Sequence, residues 1–291
     1  MIEDISIILV ATLVSGSLYS LMTIGLVLVS GTARYFNFAH GAFATFGAYF
    51  VWYLFVVQKM DYRVSFLLLI PVALAVGFLM QRYTVQSLID REASDLILIL
   101  QTFAVGSIIE STILLIFGGR LKRCPYPFEG HISIGGATMS YHKLLILLAS
   151  SLLIIALITL LYKTKLGTAM RAVAQEKEAA PLVGINVNRI YGLTLGIASI
   201  MAGVAGYLIG CMEFMTPTLG GGLMSGAFII CSLGGTRAGL RGAAMTSYLV
   251  AFMESALMRY LPMYDVPPII FALVIIGLII RPEGLFVRGA R

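Results

Sequence analysis

Residues 143–189 read KLLILLASSLLIIALITLLYKTKLGTAMRAVAQEKEAAPLVGINVNR, an apolar run followed by a charged segment. The apolar part, residues 143–162, has the ~20 residues that a helix needs to cross the ~30 Å hydrocarbon core of a bilayer. The charged part, residues 163–189, holds five Lys or Arg and two Glu, and a second apolar run follows it. The stretch therefore predicts two membrane spans joined by a compact polar connection, which is available to a partner on that side of the membrane.

The composition of the whole chain indicates a membrane protein. The 291 residues have a mean hydropathy of +0.95 and only 12% charged residues, against about 25% in soluble proteins. The apolar runs have the length of helical spans, and the ~10-residue alternating strands of a membrane barrel are not seen. We therefore predict an all-α integral membrane protein with a single transmembrane domain over residues 1–291. The net charge of +6 is attributed to basic loops facing anionic lipid rather than to nucleic-acid binding.

The apolar runs predict a polytopic bundle of about eight or nine spans. We place them at residues 5–30, 38–57, 64–81, 95–117, 143–162, 191–212, 223–234, 243–260 and 268–281. The seventh run, near 223–234, is too short for a full span and is flanked by glycines, so we expect a broken or re-entrant helix there.

The distribution of Lys and Arg predicts the orientation. When residues 163–190 are placed in the cytoplasm, most basic residues fall on the same side, in agreement with the positive-inside rule. The N-terminus is then outside and the C-terminus inside, although the outer loop 118–142 contains several basic residues. The N-terminus lacks the features of a cleaved signal peptide, so we expect a retained first span. Cys124, Cys211 and Cys231 are odd in number and far apart in sequence, which indicates neither a disulfide framework nor a metal cluster.

Residues 163–190, named the charged segment below, are predicted to fold. Gly167 to Ala180 has the pattern of a helix, Pro181 interrupts it, and Gly184 ends it. Such a rigid element fits a docking site for a soluble partner. An amphipathic helix resting on the lipid surface is the alternative.

A few polar residues lie inside the predicted spans. Asn37 and His40 are three residues apart, so on a helix they would share one face. They could form a helix cap with an interfacial His, or line or stiffen a polar path through the membrane near its cytoplasmic end. Glu110 and Glu254 each need a donor or water within the membrane, so they indicate structural pairing, a cavity wall or misplaced span boundaries.

Known catalytic motifs are missing from the sequence. It has no GxxxxGK[ST] phosphate-binding loop, and no HExxH, CxxC or GxSxG. We therefore expect neither an ATP site nor enzymatic activity nor a metal in this chain.

Five stretches resemble one family of permeases. Glu178-Ala179-Ala180 with Gly184 is similar to the E-A-A-x-x-x-G loop by which permeases of ABC importers engage their ATPase subunits. The wider string GTAMRAVAQEKEAAPLVGINVNR resembles the version in importers of branched-chain amino acids. The other stretches follow in the family's order: NFAHG (37–41), TPT before glycines (216–222), LGGTRAGLRGA (233–243) and RPEGLF (281–286).

The resemblance implies a transport subunit of a prokaryotic plasma (inner) membrane. By analogy, two permeases, identical or homologous, would pair, and two cytoplasmic ATPases would hold their charged segments and hydrolyse ATP. A soluble binding protein outside would deliver branched-chain or related small amino acids, urea or short amides. The implied ATPase-coupling residues are Arg171, Glu178, Ala179, Ala180 and Gly184. The expected substrate pathway contains Asn37, His40, Gly41, Glu110 and Glu254.

Three other kinds of protein remain as alternatives. An ion-coupled transporter would need ion ligands within the membrane, and an uncoupled channel for a small neutral solute such as urea would work without nucleotide. An integral-membrane enzyme is disfavoured by the missing catalytic motifs.

Overall fold

A computed structural model describes residues 2–280 of the chain, and this range is mostly helical. The helices are α1 (Ile2–Ala33), α2 (His40–Val51), α3 (Tyr62–Met80), α4 (Gln86–Ile89), α5 (Asp95–Phe117), α6 (Tyr141–Lys163), α7 (Lys165–Gln175), α8 (Val187–Ile209), α9 (Leu219–Ile230), α10 (Thr236–Tyr260) and α11 (Val266–Ile280). π-Helical turns extend α2 over Trp52–Val57, join α3 to α4 over Gln81–Val85, and follow α9 over Cys231–Gly235. A 3-10 helix covers Ala180–Val183, and β1 (His131–Ile134) pairs antiparallel with β2 (Ala137–Ser140).

The structure confirms an all-α membrane protein but not the number of spans. Within residues 2–280, six helical stretches are long and apolar enough to cross a bilayer: Glu3–Ala33, His40–Val57, Tyr62–Ile89, Asp95–Phe117, Tyr141–Lys163 and Val187–Ile209. They coincide with the first six predicted spans. Leu219–Gly234 and Val266–Ile280 are apolar but shorter, and α10 is not among the six, so eight or nine full spans are not confirmed.

The bundle has two ends that are useful as reference points. At the charged end, α6 finishes at Lys163 and α8 begins at Val187, with the charged segment between them. At the hairpin end, α6 begins at Tyr141 directly after β2, and α8 finishes at Ile209. At about 1.5 Å per residue, the 23 residues of α6 separate the two ends by roughly 34 Å.

Helix α8 is the centre of the bundle, because small residues let α2 approach it closely. A Cβ on Gly206 would lie 1.7 Å from the Ala44 carbonyl oxygen, and one on Gly47 would lie 1.9 Å from the Gly203 carbonyl oxygen. Only glycine fits at such distances, so the backbones of the two helices are in direct contact. Within the 18-residue apolar window of α8, 83% of the residues are buried.

The turn that connects α9 to α10 lies inside the bundle rather than at its surface. Gly234 and Gly239 both have positive φ (128° and 67°), which breaks the helix between them. Helix α10 then runs antiparallel to α1, with Tyr248 bonded to Ser17 and Arg259 to Asp4. If the same residue-to-residue pairing between α10 and α1 continues, Gly239 lies at about the level of Gly25 in α1.

The depth of that turn agrees with the predicted re-entrant segment. A Cβ on Gly25 would lie 3.3 Å from the carbonyl oxygen of Ala198, which is the middle residue of α8. The turn after α9 is therefore near the mid-depth of the bundle. Both α9 and α10 lie mainly in the half nearer the hairpin end.

Candidate coupling and translocation sites

The charged segment begins with α7 folded tightly against the end of α6. The Thr164 hydroxyl accepts a hydrogen bond from the Gly167 N–H at 3.1 Å and caps the helix. A Cβ on Gly167 would lie 2.2 Å from the Leu160 carbonyl oxygen, so the close turn needs glycine. Met170 and Val173 are buried on the inner face of α7. The apolar face of α7 is thus occupied by the protein itself, which argues against a helix resting on lipid.

The predicted helix from Gly167 to Ala180 is wrong at its C-terminal end. Helix α7 stops at Gln175, because Glu176 has an extended backbone with φ −145° and ψ 94°. Pro181 does not interrupt an α-helix but lies in the first turn of the 3-10 helix, where its fixed φ is suited and its missing N–H costs nothing. Gly184 then closes the 3-10 helix in the left-handed conformation, with φ 79°.

The tip of the charged segment presents an apolar pair beside a free carboxylate. Leu182 and Val183 are 86% and 76% exposed, and Glu178, Ala179 and Gly184 are exposed as well. Ala180, by contrast, is buried and fixes the tip to the bundle. Among the described residues, none forms a hydrogen bond or ion pair with the Glu178 side chain. A rigid tip of this composition is suited to a protein partner.

Arg171 differs from the other residues predicted for coupling. Its guanidinium lies 5.3 Å from the centre of the Tyr162 ring, and its Nη2 donates to the Thr168 hydroxyl at 3.4 Å. It is half-buried. Arg171 therefore holds α7 against α6 and contributes little to the exposed tip.

Arg34 links the charged segment to the rest of the bundle, and sequence analysis did not single it out. It follows directly after α1 and has a left-handed backbone with φ 59°. Its exposed guanidinium donates to the carbonyl oxygens of Ala174 and Gln175, both at 3.3 Å. These carbonyls end α7, where a positive charge is favoured by the helix dipole.

Residues 34–39, named the strap below, run from Arg34 into the interior and are tied to two other helices. Tyr35 is buried, and its hydroxyl donates to Gln81 Oε1 at 2.7 Å. The Thr102 hydroxyl of α5 accepts from the Phe38 N–H at 3.0 Å. The strap is therefore held in one position by the π-helical turn after α3 and by α5.

The strap also contacts α9 through aromatic rings. The Phe228 ring centre lies 5.5 Å from that of Phe36 and 6.1 Å from that of Phe38. These separations are in the range of favourable aromatic pairs. A movement of the strap would thus displace α9.

The structure corrects the prediction that Asn37 and His40 share a helix face. Asn37 lies in the strap, and its Oδ1 accepts from the Ala39 N–H at 3.1 Å, so it stabilises the turn before α2. His40 is the first residue of α2 and is fully buried, with Nε2 3.0 Å from the Met22 carbonyl oxygen. Neither side chain lines the cavities described next.

His40 also lies deeper than predicted. Its ring is beside Gly25, which was placed above at the middle of α8, rather than near the charged end. The chain returns through the strap to this depth before α2 begins. Helix α2 therefore starts inside the bundle, as a broken span does.

A groove of about 510 Å³ lies between α2, α5 and α9. Its walls combine phenyl rings with a few polar groups and the open backbone of glycines. The lining residues include Phe38, Gly41, Phe103, Gly106, Ser107, Glu110, Thr218, Gly221, Ser225 and Phe228. The structure thus brings Gly41 and Glu110 together, and places both beside the first turn of α9.

Glu254 lies in a different cavity, of about 750 Å³, between α1, α9, α10 and α11. Tyr19 and Glu213 line the same cavity, which is otherwise mostly apolar. The two intramembrane carboxylates predicted for one pathway are therefore separate in this chain. Within residues 2–280, no group of three or more His, Cys, Asp or Glu is arranged to hold a metal ion.

These features define a multi-pass helical membrane protein, with a buried broken span beside a groove and a rigid polar element at one end. The chain belongs to the family described as the permease component of branched-chain amino acid transport systems, which it matches over residues 8–281. The resemblance seen in the sequence is confirmed by this match. The stretch 281–286 that contributed to it lies outside the residues described by the structure.

Three curated relatives show the extent of the similarity. The high-affinity branched-chain amino acid transport system permease protein LivH of Salmonella typhimurium is 28% identical over 289 residues, 94% of this chain and 92% of its own. BraD of Pseudomonas aeruginosa, with the same description, is 28% identical over 295 residues, 96% and 95% of the two chains. A probable branched-chain amino acid transport permease protein LivH of Methanocaldococcus jannaschii is 28% identical over 261 residues, 87% and 81%. No solved structure matches the chain significantly.

Proposed function

We propose that this chain is the permease subunit of a binding-protein-dependent ABC importer. The observation that carries the proposal is the tip of the charged segment: Glu178, Leu182 and Val183 are exposed on an element that is rigidly fixed to the bundle. Separate cytoplasmic ATPases would cover this tip and hydrolyse ATP, so the permease itself needs no cofactor. Arg171 and Ala180 would support the docking surface from beneath, while Ala179 and Gly184 belong to it.

The proposed orientation follows from this assignment. The charged end faces the cytoplasm, and the N-terminus of α1 and the hairpin end face outwards, in a prokaryotic inner membrane. A soluble binding protein would then meet the hairpin end. A second permease, either homologous or identical, would complete the pathway and cover part of the apolar surface that this chain leaves exposed.

The groove between α2, α5 and α9 is the proposed substrate pathway of this subunit. Glu110 would attract the ammonium group of an amino acid, and the phenyl rings of Phe38 and Phe103 suit a short apolar side chain. The N-terminal end of α9 favours the carboxylate, because the helix dipole is positive there. This chemistry fits branched-chain or related small amino acids, in keeping with the names of the relatives.

The other predicted pathway residues have different proposed roles. Asn37 and His40 shape the start of α2, and Gly41 lets α9 approach: a Cβ on Gly41 would lie 3.0 Å from the Gly220 carbonyl oxygen. Glu254 faces its own cavity and is hydrogen-bonded to the Tyr19 hydroxyl, so we propose a structural pairing for it rather than a place in the same groove.

The strap provides a route from ATPase to groove. When ATP binding moves the charged segment, Arg34 would carry the movement from the end of α7 to the strap. Phe36 and Phe38 would pass it to Phe228 of α9, which borders the groove. ATP drives this only if the ATPases bind one position of the charged segment better than the other.

The test of the docking assignment is Glu178→Arg. We expect this change to abolish ATP-driven uptake into proteoliposomes of the complete transporter, while the chain still inserts and folds. Uptake is normalised to the fraction of transporters that have the importing orientation. Glu129→Arg is the matched control for docking, because Glu129 is also exposed but lies in the loop at the opposite end. Since the binding protein would meet that end, the control is measured as the amount of ATPase bound to the purified chain, which should stay within twofold of the native amount for Glu129→Arg and be lost for Glu178→Arg.

The same assay separates the proposal from its rivals. Uptake of urea or an amide by the chain alone, without ATP, would identify an uncoupled channel. Uptake that follows an imposed ion gradient would identify an ion-coupled transporter. Either result, with Glu178→Arg fully active, would refute the ABC importer.

A further inference from the structure

Two of the three cysteines meet at the hairpin end, although they are far apart in sequence. The Cys211 thiol donates a hydrogen bond to Cys124 Sγ at 2.9 Å, and the Cys124 thiol donates to the Pro125 carbonyl oxygen at 3.6 Å. Cys124 belongs to the loop after α5, and Cys211 follows the end of α8. Both are buried, with 2% and 5% exposure. The fold therefore brings together two cysteines whose wide spacing in the sequence argued against a disulfide framework.

The backbone around the two cysteines already holds them together. Lys122 and Met215 form an antiparallel bridge, with N–H to carbonyl distances of 3.1 and 2.9 Å. Beside it, the Arg123 guanidinium lies 5.7 Å from the centre of the Phe214 ring. The pairing of the thiols is thus part of a larger contact between the loop and the end of α8, not the chance approach of two mobile side chains.

We propose that Cys124 and Cys211 form a disulfide bond that clips the outer loop to the end of α8. The proposal rests on the orientation given under the proposed function, which exposes the hairpin end to the oxidising, extracytoplasmic side. A disulfide needs an S–S distance of about 2.05 Å, so the sulfurs have to approach by only about 0.9 Å.

The reaction is a thiol–disulfide exchange with a disulfide-bearing oxidant of the extracytoplasmic space. One thiolate attacks the oxidant's disulfide and releases one oxidant thiol. The second thiolate then attacks the mixed disulfide and releases the other. The two cysteine thiols lose two electrons and two protons, and the oxidant's disulfide gains them.

The surroundings of the two cysteines favour formation of the disulfide during folding and persistence of the bond afterwards. The pKa of the Cys211 thiol is raised, first by its hydrogen bond to Cys124 and then by burial, so few thiolates form once the loop is in place. The exchange would therefore precede complete docking of the loop. Burial then keeps reductants away from the finished bond.

Sequential thiol labelling of the unmodified chain tests the proposal. Cells are quenched in acid, free thiols are blocked with N-ethylmaleimide in SDS, and the sample is reduced and treated with a polyethylene-glycol maleimide. We expect two added polymers per chain, and none when reduction is omitted. Cys231 does not interfere, because the first step blocks its free thiol, so Cys231→Ser should still give two.

The variants decide which residues are paired. Cys124→Ser and Cys211→Ser should each reduce the number of added polymers from two to none, since the freed partner is blocked in the first step. No polymer on the unmodified chain after reduction, or a count that depends on Cys231, would overturn the proposal.

A second labelling separates this failure from failure of the proposed function. Glu129→Cys and Glu178→Cys are treated in intact cells with a maleimide that does not cross membranes. If only Glu129→Cys reacts while the native pair is reduced, the disulfide is refuted and the orientation stands. If only Glu178→Cys reacts, the orientation is reversed, and both proposals fall.

Discussion

Replacing Arg34 with alanine tests the proposed route between ATPase and groove. The substitution removes the two hydrogen bonds from the guanidinium to Ala174 and Gln175 at the end of α7. It leaves the tip of the charged segment unchanged, because Leu182 and Val183 lie beyond these contacts. We therefore expect ATPase subunits to bind as before, while their movement reaches the strap less efficiently.

The magnitude follows from the geometry of the contact. Hydrogen bonds from a charged donor contribute about 1.5–3 kcal/mol when well formed, and a cation at an exposed helix C-terminus about 0.3–1 kcal/mol. Both bonds of Arg34 are long, and the side chain is exposed, so we assign them together about 1 kcal/mol. At 1.36 kcal/mol per tenfold change, this corresponds to about a fivefold loss.

The assay is the ratio of amino acid taken up to ATP hydrolysed in proteoliposomes of the assembled transporter. Arg34→Ala should lower this ratio about fivefold, and Arg34→Lys should restore part of it, because lysine retains the charge. Arg91→Ala is the matched control, since Arg91 is an exposed arginine that follows α4 without a side-chain hydrogen bond among the described residues. An unchanged ratio for Arg34→Ala would refute the route through the strap. Loss of the ATPase subunits would assign Arg34 to docking instead.

The remaining predictions concern packing and the groove. Gly206→Ala should lower the thermal unfolding midpoint in detergent, because the new Cβ would overlap the Ala44 carbonyl. Such overpacking destabilises the folded state by about 1–3 kcal/mol. Gly31→Ala, with nothing within 4 Å, should not lower the midpoint, and an equal loss in both would contradict the close α2–α8 contact. Glu110→Gln should raise the KM for a branched-chain amino acid about tenfold, equivalent to roughly 1.4 kcal/mol of lost attraction for the ammonium group. The KM for a short amide without that group should stay the same, and equal effects on both solutes would remove Glu110 from substrate recognition.

The sequence predicted the parts of the fold that depend on local apolar length. The first six spans agree with the helices of the structure, because ~20 apolar residues in lipid satisfy their backbone hydrogen bonds only as helices. The short run at 223–234 was expected to be a broken or re-entrant helix, and the structure shows a break at its end. Its end is set by Gly234 and Gly239, residues whose conformational freedom the sequence displays directly.

The errors arose where distant contacts decide the local structure. Helix α7 ends at Gln175 rather than at Ala180, and Arg34, far away in sequence, binds the carbonyls there. The pattern NFAHG has the spacing of a helix face, but the hydrogen bonds of Asn37 to Ala39 and of Phe38 to Thr102 hold it as a strap instead. No local signal shows either arrangement.

The candidate sites were predictable in type but not in grouping. Glu110 and Glu254 were recognisable as carboxylates inside spans, yet only packing shows that they face different cavities. Cys124 and Cys211 likewise gave no sign of contact, because 87 residues separate them. Leu182 and Val183 are unremarkable in an apolar chain, and become informative only through their exposure at the end of a charged segment.

The most direct test of the account is to purify the tagged chain in mild detergent and to identify its partners by quantitative mass spectrometry. The native chain and Glu129→Arg should bring stoichiometric ATPase subunits and a second permease, whereas Glu178→Arg should lose the ATPases and remain folded. A well-folded native chain that purifies alone, and transports its solute in liposomes without nucleotide, would contradict the central claim.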